Sequence, residues 1–170
     1  MSTKTVLAHY SPEDVVVLVG GFLAVEGYLE GTFINITKDV PFFTTKESSD
    51  GVVSRVANKS GLYTVNLTLM STSESNLIMT RLALLDNLTY VAKFPLIIKD
   101  TLGSTLLFST SSWVENVPTT DFDTGVTSRS WNIKCAKATL NVGGNESASG
   151  LVEDAISTIG GLVPSFGSLF

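Results

Sequence analysis

The stretch that decides the fold is Leu62-Tyr-Thr-Val-Asn-Leu-Thr-Leu-Met70. Large apolar residues take every second position, namely Tyr63, Val65, Leu67 and Leu69. Uncharged polar residues lie between them, namely Thr64, Asn66 and Thr68. A period of two is typical of a β-strand with one buried face. We therefore predict a strand that buries its apolar side in a core and presents a polar, uncharged side to a wet surface.

The segments before this strand predict further strands joined by turns. Gly20-Gly21 separates the apolar runs 15–19 and 22–25 and predicts a tight hairpin with a two-residue turn, since glycine adopts positive φ without strain. Residues 31–38 predict a strand. We expect residues 52–56 to be its antiparallel partner, across a long loop of residues 39–51.

The segments after this strand predict one helix and more strands. Ser71-Thr-Ser-Glu74 offers a capping box, with Ser73 as the alternative N-cap, for a helix over about residues 74–86. Five apolar residues at helical spacing are expected to pack on a sheet: Leu77, Ile78, Leu82, Leu85 and Leu88. Residues 96–99 and 105–108 predict a second hairpin. Further strands are expected at residues 111–117 and 127–142.

The predicted fold class is mainly β, with two packed antiparallel sheets forming a sandwich or half-barrel beside one flanking helix. Residues 1–145 would form this domain. Residues 146–170 differ in composition, and their apolar residues recur at spacings that fit a short helix. This C-terminal extension could be a disordered tail, or it could dock on the same subunit or a neighbour.

Charge is scarce in this chain. Asp, Glu, Lys and Arg make up 16% of the 170 residues, against roughly 25% in an ordinary soluble domain. Either Ser and Thr cover much of the surface, or other subunits cover it, because interface centres are depleted in charge. The net charge of −5 argues against a protein that grips nucleic acid through its phosphates.

Cysteine and histidine usage excludes several classes of site. One Cys cannot form an internal disulfide, and one Cys with one His cannot build a zinc site. The longest nearly apolar run, residues 15–25, is shorter than the ~20 residues of a membrane helix. The N-terminus has no apolar signal core. We expect a soluble protein of a reducing compartment, with no membrane partner.

The sequence offers no catalytic constellation. His9 is the only imidazole and lies near the N-terminus, where a solvated role is the ordinary one. We expect Cys135 to be a small buried hydrophobe rather than a nucleophile, because it alternates with polar residues in a predicted strand. The expectation is a protein that is not an enzyme and binds no cofactor or metal.

Seven segments occur in an order that carries a resemblance. They are Tyr10-Ser-Pro-Glu-Asp-Val-Val-Val-Leu-Val-Gly-Gly21, Glu30-Gly-Thr-Phe-Ile-Asn-Ile36, Ser49-Asp-Gly-Val-Val-Ser-Arg55, Ser60-Gly-Leu-Tyr-Thr-Val-Asn-Leu-Thr-Leu69, Ser71-Thr-Ser-Glu-Ser-Asn76, Phe94-Pro-Leu-Ile-Ile-Lys-Asp100 and Arg129-Ser-Trp-Asn-Ile-Lys-Cys135. In this order the chain resembles, over about residues 10–145, the proteins that form the inner tail tube of contractile-tailed bacteriophages.

The resemblance implies a β-rich subunit of the virion, assembled in the cytoplasm of the bacterial host. Such subunits form hexameric rings that stack into a hollow tube, each lending about four strands to a large barrel. The implied partners are further copies, the contractile sheath around the tube, and the tape measure protein and viral DNA that pass through it without sequence-specific binding. Related domains in baseplate and tail-terminator proteins are alternatives.

Two sets of residues are candidate sites in such an assembly. Thr64, Asn66 and Thr68 are expected to face the lumen, although the same row could simply face bulk water. Pro41, Phe42 and Phe43 lie in the predicted loop and are expected to contact the adjacent ring of subunits. Alternatively, the two aromatic side chains could fold back onto the core of their own subunit.

A competing hypothesis is a monomeric β-sandwich that binds carbohydrate. Trp113 and Trp131 would then be exposed stacking platforms, whereas core burial is the commoner fate of tryptophan.

Overall fold

The computed structural model describes residues 10–144, and within them the chain is mainly β, with two antiparallel sheets and one α-helix. This confirms the predicted fold class. The predicted domain boundary at residue 145 and the extension 146–170 lie outside the described residues, as does His9.

In chain order, a 3-10 turn (Pro12–Asp14) precedes the strands and the helix. The elements are β1 (Val15–Val19), β2 (Leu23–Ala24), β3 (Ile34–Lys38), β4 (Phe43–Glu47), β5 (Val53–Ala57), β6 (Tyr63–Met70), α1 (Ser75–Thr89), β7 (Phe94–Asp100), β8 (Leu106–Asn116), β9 (Ser128–Ala136) and β10 (Thr139–Asn141). The large sheet has the order β2-β1-β7-β8-β9-β6-β3, with β10 also paired to β8, and the small sheet is the β4-β5 hairpin.

The core lies on one face of the large sheet. Its fully buried residues include Val17 of β1, Leu67 of β6 and Ile133 of β9, and Ile34 and Ile36 of β3 pack against the same cluster. Because β1 and β3 are near opposite ends of the sheet yet share one core, the sheet curls around it. Among residues 10–144 the two ends do not pair with each other, so the sheet that these residues form stays open on one side, as in a sandwich or half-barrel.

The strand of residues 62–70 is the clearest success of the sequence pattern. In β6, buried and partly exposed residues alternate without exception, with Tyr63, Val65, Leu67 and Leu69 in the core. β6 pairs antiparallel with β3 on one side and β9 on the other.

The first hairpin is confirmed, but its turn is longer than predicted. β1 pairs with β2 through Leu18–Ala24 and Val19–Leu23, so three residues, not two, form the connection. Gly20 and Gly21 have φ of 70° and 85°, which only glycine adopts without strain. Phe22 is the additional residue and is 79% exposed.

The predicted partner of the 31–38 strand is wrong. β3 pairs with β6, whereas β5 pairs with β4. The expected loop of residues 39–51 therefore contains a strand, and β4 and β5 form a hairpin whose ten residues are all exposed. The sequence pattern missed β4 because a strand exposed on both faces shows no alternation of apolar and polar residues.

Two further boundaries differ from prediction. Residues 105–108 and 111–117 belong to one long strand, β8, whose first half pairs with β7 to form the predicted second hairpin. Residues 127–142 are instead two strands, because Lys137 adopts a left-handed φ of 51° between β9 and β10. This kink lets β9 and β10 pair with successive parts of β8.

The helix is present but longer than predicted, and it buries a different face. Neither predicted cap forms: Glu74 is the N-cap residue and its side chain makes no capping hydrogen bond. Oγ of the preceding Ser73 accepts from the N–H of Ser75, the first helical residue, at 3.2 Å. Ser75 and Met79 are buried, and Leu82 and Ala83 pack on the core.

Three of the five residues predicted to face the sheet are exposed instead, namely Leu77, Leu85 and Leu88. In the folded protein, the side of the helix with the small residues Ser75 and Ala83 packs against the sheet.

Candidate functional site

The outward side of β6 and its two neighbouring strands forms a broad polar surface. We define the polar face as Asn35 and Thr37 of β3, Thr64, Asn66 and Thr68 of β6, and Ser130, Asn132 and Lys134 of β9. Cross-strand pairing places these side chains on one face, opposite the core, and each is partly or fully exposed. Thr64, Asn66 and Thr68, the predicted lumen residues, lie along its centre.

A row of four asparagines crosses the polar face. The register pairs Asn35 with Asn66 and Asn66 with Asn132. A bulge in β8 between Val114 and Asn116 brings Asn116 opposite Asn132 and so extends the row to a fourth strand. The result is a band of neutral amides that offers no charge to bind phosphate.

The polar face, as defined, contains one charged residue, Lys134, which lies at one end of it. Nζ of Lys134 donates to Oδ2 of Asp39 and to Oγ1 of Thr64, both at 2.7 Å, and lies 4.0 Å from Oε2 of Glu115. The Thr64 hydroxyl in turn donates to Oδ1 of Asp39. The one cation of the polar face is therefore held between two carboxylates and is not free to bind another anion.

The pKa values of the ion pair reflect the same contacts. Burial raises the pKa of Asp39, but hydrogen bonds from Lys134 and Thr64 and the nearby ammonium outweigh it, so the carboxyl pKa lies below its ordinary 3.8. The hydrogen bond to Asp39 raises the pKa of Lys134 above 10.5.

This constellation of hydroxyl, amine and carboxylate does not fit nucleophilic catalysis. A lysine that activates a hydroxyl must be able to lose its proton near neutral pH, which requires a lowered pKa. The pKa of Lys134 is raised instead, so its ammonium cannot accept the proton of Thr64. The geometry supports an electrostatic and structural role for these three residues.

The predicted inter-ring residues lie at the base of the β4-β5 hairpin. Phe42 and Phe43 are 63% and 47% exposed. Their rings lie beneath cations, with Nζ of Lys38 4.6 Å from the centre of the Phe42 ring and the Arg55 guanidinium 4.1 Å from that of Phe43. The neighbouring Pro41 accepts a hydrogen bond from the Asn58 side chain at 2.9 Å. The phenyl groups of Phe42 and Phe43 therefore do not fold back into the core of the protein.

A second apolar surface was missed by the sequence analysis. Six large apolar residues on or just after α1 are half exposed or more, namely Leu77, Leu84, Leu85, Leu88, Tyr90 and Val91. The sequence does indicate this exposed surface, because α1 contains more leucines than can be buried along one side of a helix. Periodicity alone could not say which stripe packs inward.

The tryptophans and the cysteine occupy structural positions. Trp131 is 1% exposed and its indole N–H donates to Oδ1 of Asn76 at 2.8 Å, tying β9 to α1. It therefore cannot be a carbohydrate platform, and Trp113 is only partly exposed. Burial raises the pKa of the Cys135 thiol, which is fully buried in the core.

Two kinds of site are absent from the part of the chain that the structure describes. No group of three or more His, Cys, Asp or Glu side chains among residues 10–144 is placed to hold a metal ion. None of the helical structure in these residues is long and apolar enough to cross a membrane.

Comparison with known proteins adds an independent observation. The chain is 27% identical over 158 residues to structural protein ORF10 of Pseudomonas phage KPP10, and the match covers 89% of this chain and 91% of that protein. The chain is similar to a phage structural protein.

Two other comparisons add less. No model of a protein family matches the chain. Among solved structures, the cap that terminates the tube of the anti-feeding prophage matches 84% of this chain and 99% of its own, at 11% identity and a TM-score of 0.48. A likeness at that level assigns neither fold nor function.

Proposed function

We propose that this chain is a structural, non-enzymatic subunit of a phage tail whose copies assemble into stacked rings around a lumen for DNA. The polar face is the observation that carries the proposal. It spans β3, β6 and β9, it is nearly uncharged, and it lies opposite the core. Similarity to a phage structural protein along most of the chain supports a role in the virion.

The open ends of the large sheet provide a route to assembly. Among the described residues, β3 pairs with β6 alone and β2 with β1 alone, so both end strands leave backbone groups unpaired. Unpaired edges invite strand addition, and closing the sheet through neighbouring copies removes them. Six copies lending four strands each would form a barrel of about 24 strands, which leaves an open lumen.

The electrostatics of the polar face suit passage rather than capture. Each lysine that contacts a phosphate adds to affinity for DNA, and the contacts add up along a duplex. The only lysine of the polar face is paired with Asp39 and faces Glu115 as well, so the surface offers neutral amides and hydroxyls. In this proposal DNA and the tape measure protein slide along the row of Thr64, Asn66 and Thr68.

Two exposed apolar surfaces are left for protein contacts. The β4-β5 hairpin has five residues per strand, which corresponds to a projection of about 17 Å. We propose that Phe42 and Phe43, with Pro41, contact the adjacent ring. The leucines of α1 lie on another exposed surface and would face neighbouring copies or the contractile sheath.

The test is imaging of the purified full-length protein with a label on the polar face. Asn66→Cys would carry a maleimide-linked gold cluster, since the native Cys135 is buried and unreactive. We expect tubes by negative-stain electron microscopy, with gold along the tube axis. The matched control Asn87→Cys, on an exposed position of α1, should place gold on the outer wall.

Three outcomes would contradict the proposal. A monomer that persists at high concentration would contradict assembly. Gold on the outer wall for Asn66→Cys would contradict a lumen lined by the polar face. Single rings that never stack would contradict the tube and favour a terminator or baseplate position.

A further inference from the structure

An apolar groove lies where the two ends of the large sheet face each other without pairing. Its volume is about 390 Å³, and apolar side chains from both ends line it, namely Val15 of β1, Ile98 of β7, Ile34 and Ile36 of β3, and Phe33. Of the described residues that line it, Asp100 alone is charged. The groove thus exposes the core of the subunit at the open side of the curled sheet.

The described part of the chain ends at the rim of this groove. Thr105, which lines it, donates from Oγ1 to the carbonyl of Gly143 at 2.9 Å, and the N–H of Ser104 donates to the carbonyl of Gly144 at 3.1 Å. A Cβ on Gly143 would overlap the Ser104 side chain, so glycine permits this close approach. Gly144, the last described residue, therefore lies beside the groove.

The sequence that follows has the composition of a segment that binds an apolar groove. After Asp154, residues 155–170 contain no charged side chain. They include seven large apolar residues, namely Ile156, Ile159, Leu162, Val163, Phe166, Leu169 and Phe170. Moving such a segment from water into an apolar groove lowers the free energy. Because the segment is covalently attached to a chain that reaches the rim at Gly144, its effective concentration at the groove is high.

We propose that residues 155–170 occupy this groove of their own subunit and cover its exposed core. Binding within one chain is favoured over binding to a neighbouring copy, because Gly144 lies at the rim of the groove and the segment has only a short distance to cross. The inference concerns the isolated subunit and does not depend on tube formation.

The first experiment compares the full-length chain with one that ends at Gly144. We expect the truncated chain to bind a hydrophobic dye several-fold more and to exchange the amide hydrogens of Ile34–Lys38 faster. A synthetic peptide of residues 155–170 should reverse both effects. A chain that starts at Tyr10 is the matched control and should behave like the full-length protein.

The second experiment places a charge in the groove of the full-length chain. Ile36→Asp should expel the segment and raise the rate of cleavage at Glu153 by a glutamate-specific protease at least tenfold. Asn35→Asp adds the same charge on the opposite side of β3 and should leave cleavage unchanged. If Ile36→Asp fails to fold, titration of the peptide into the chain ending at Gly144 still measures binding.

Several results would overturn the proposal. They are unchanged dye binding and exchange after removal of residues 145–170, an open groove in the chain that starts at Tyr10, and no saturable binding of the peptide. Protection of β3 that disappears on dilution would mean that a neighbouring copy supplies the segment, and it would also refute binding within one chain.

Discussion

Replacing Phe42 and Phe43 by serine should separate folding from assembly. Both rings are exposed at the base of the β4-β5 hairpin, at 63% and 47%. Substitutions at exposed sites change the free energy of unfolding by about 0.5 kcal/mol or less each. The double variant should therefore keep the melting temperature of the wild-type protein within a few degrees.

In the proposed tube, the contact area lost between adjacent rings should be large by comparison. A phenylalanine ring can bury about 200 Å², so the exposed parts of Phe42 and Phe43 offer about 220 Å². At about 25 cal/mol per Å², burying that area would contribute up to about 5.5 kcal/mol per subunit. If half of this remains after the entropy cost of ordering the interface, losing it should raise the critical concentration for tubes about 90-fold.

The assay is sedimentation of tubes across a concentration series, with imaging of the pellets and thermal unfolding of the supernatant. Phe22→Ser with Phe122→Ser is the matched control, because those rings are even more exposed, at 79% and 92%, but lie outside the hairpin. Tubes of normal length and critical concentration in the Phe42/Phe43 variant would refute the reasoning, and so would an equal defect in the control.

Three further predictions concern the folded subunit. Asp39→Asn should lower stability at pH 7, because the pKa of Asp39 is lowered in the folded state and the charged carboxylate therefore stabilises the fold. The difference from wild type should persist down to the ordinary carboxyl pKa of 3.8 and shrink only as the pH falls through the lower pKa of the folded protein; urea unfolding at several pH values measures this. Trp131→Phe should cost about 1–3 kcal/mol by leaving Oδ1 of Asn76 unpaired, whereas Trp113→Phe at a partly exposed site should cost less in the same melts. The Cys135 thiol should react with a thiol reagent only as fast as the protein unfolds, and rapid modification in native buffer would contradict its burial.

Local patterns predicted those elements whose two sides differ in environment. The bounds of β6 were predicted to within one residue, and its polar side was assigned correctly. A strand with one buried face has apolar residues at every second position, and this alternation is visible in the sequence. The hairpins around Gly20-Gly21 and residues 100–104 were found for a related reason, since the turn residues interrupt apolar runs.

The errors have a common origin in long-range pairing. β5 was matched to β3 because both are short strands on either side of an apparent loop, yet β3 pairs with β6 and β5 with the fully exposed β4. Which strands pair depends on the free energy of the whole sheet, and no local signal encodes it. The inward face of α1 was misassigned for the same reason.

The sequence by itself determined a mainly β subunit with little charge, one helix, and a strand with one uncharged polar side. Only the tertiary structure aligned four asparagines from four strands, paired Lys134 with Asp39 from residues far apart in the chain, and left a groove beside Gly144. The physical reason is that burial and alternation are properties of single segments. A surface is made by segments that meet only when the sheet has folded around its core.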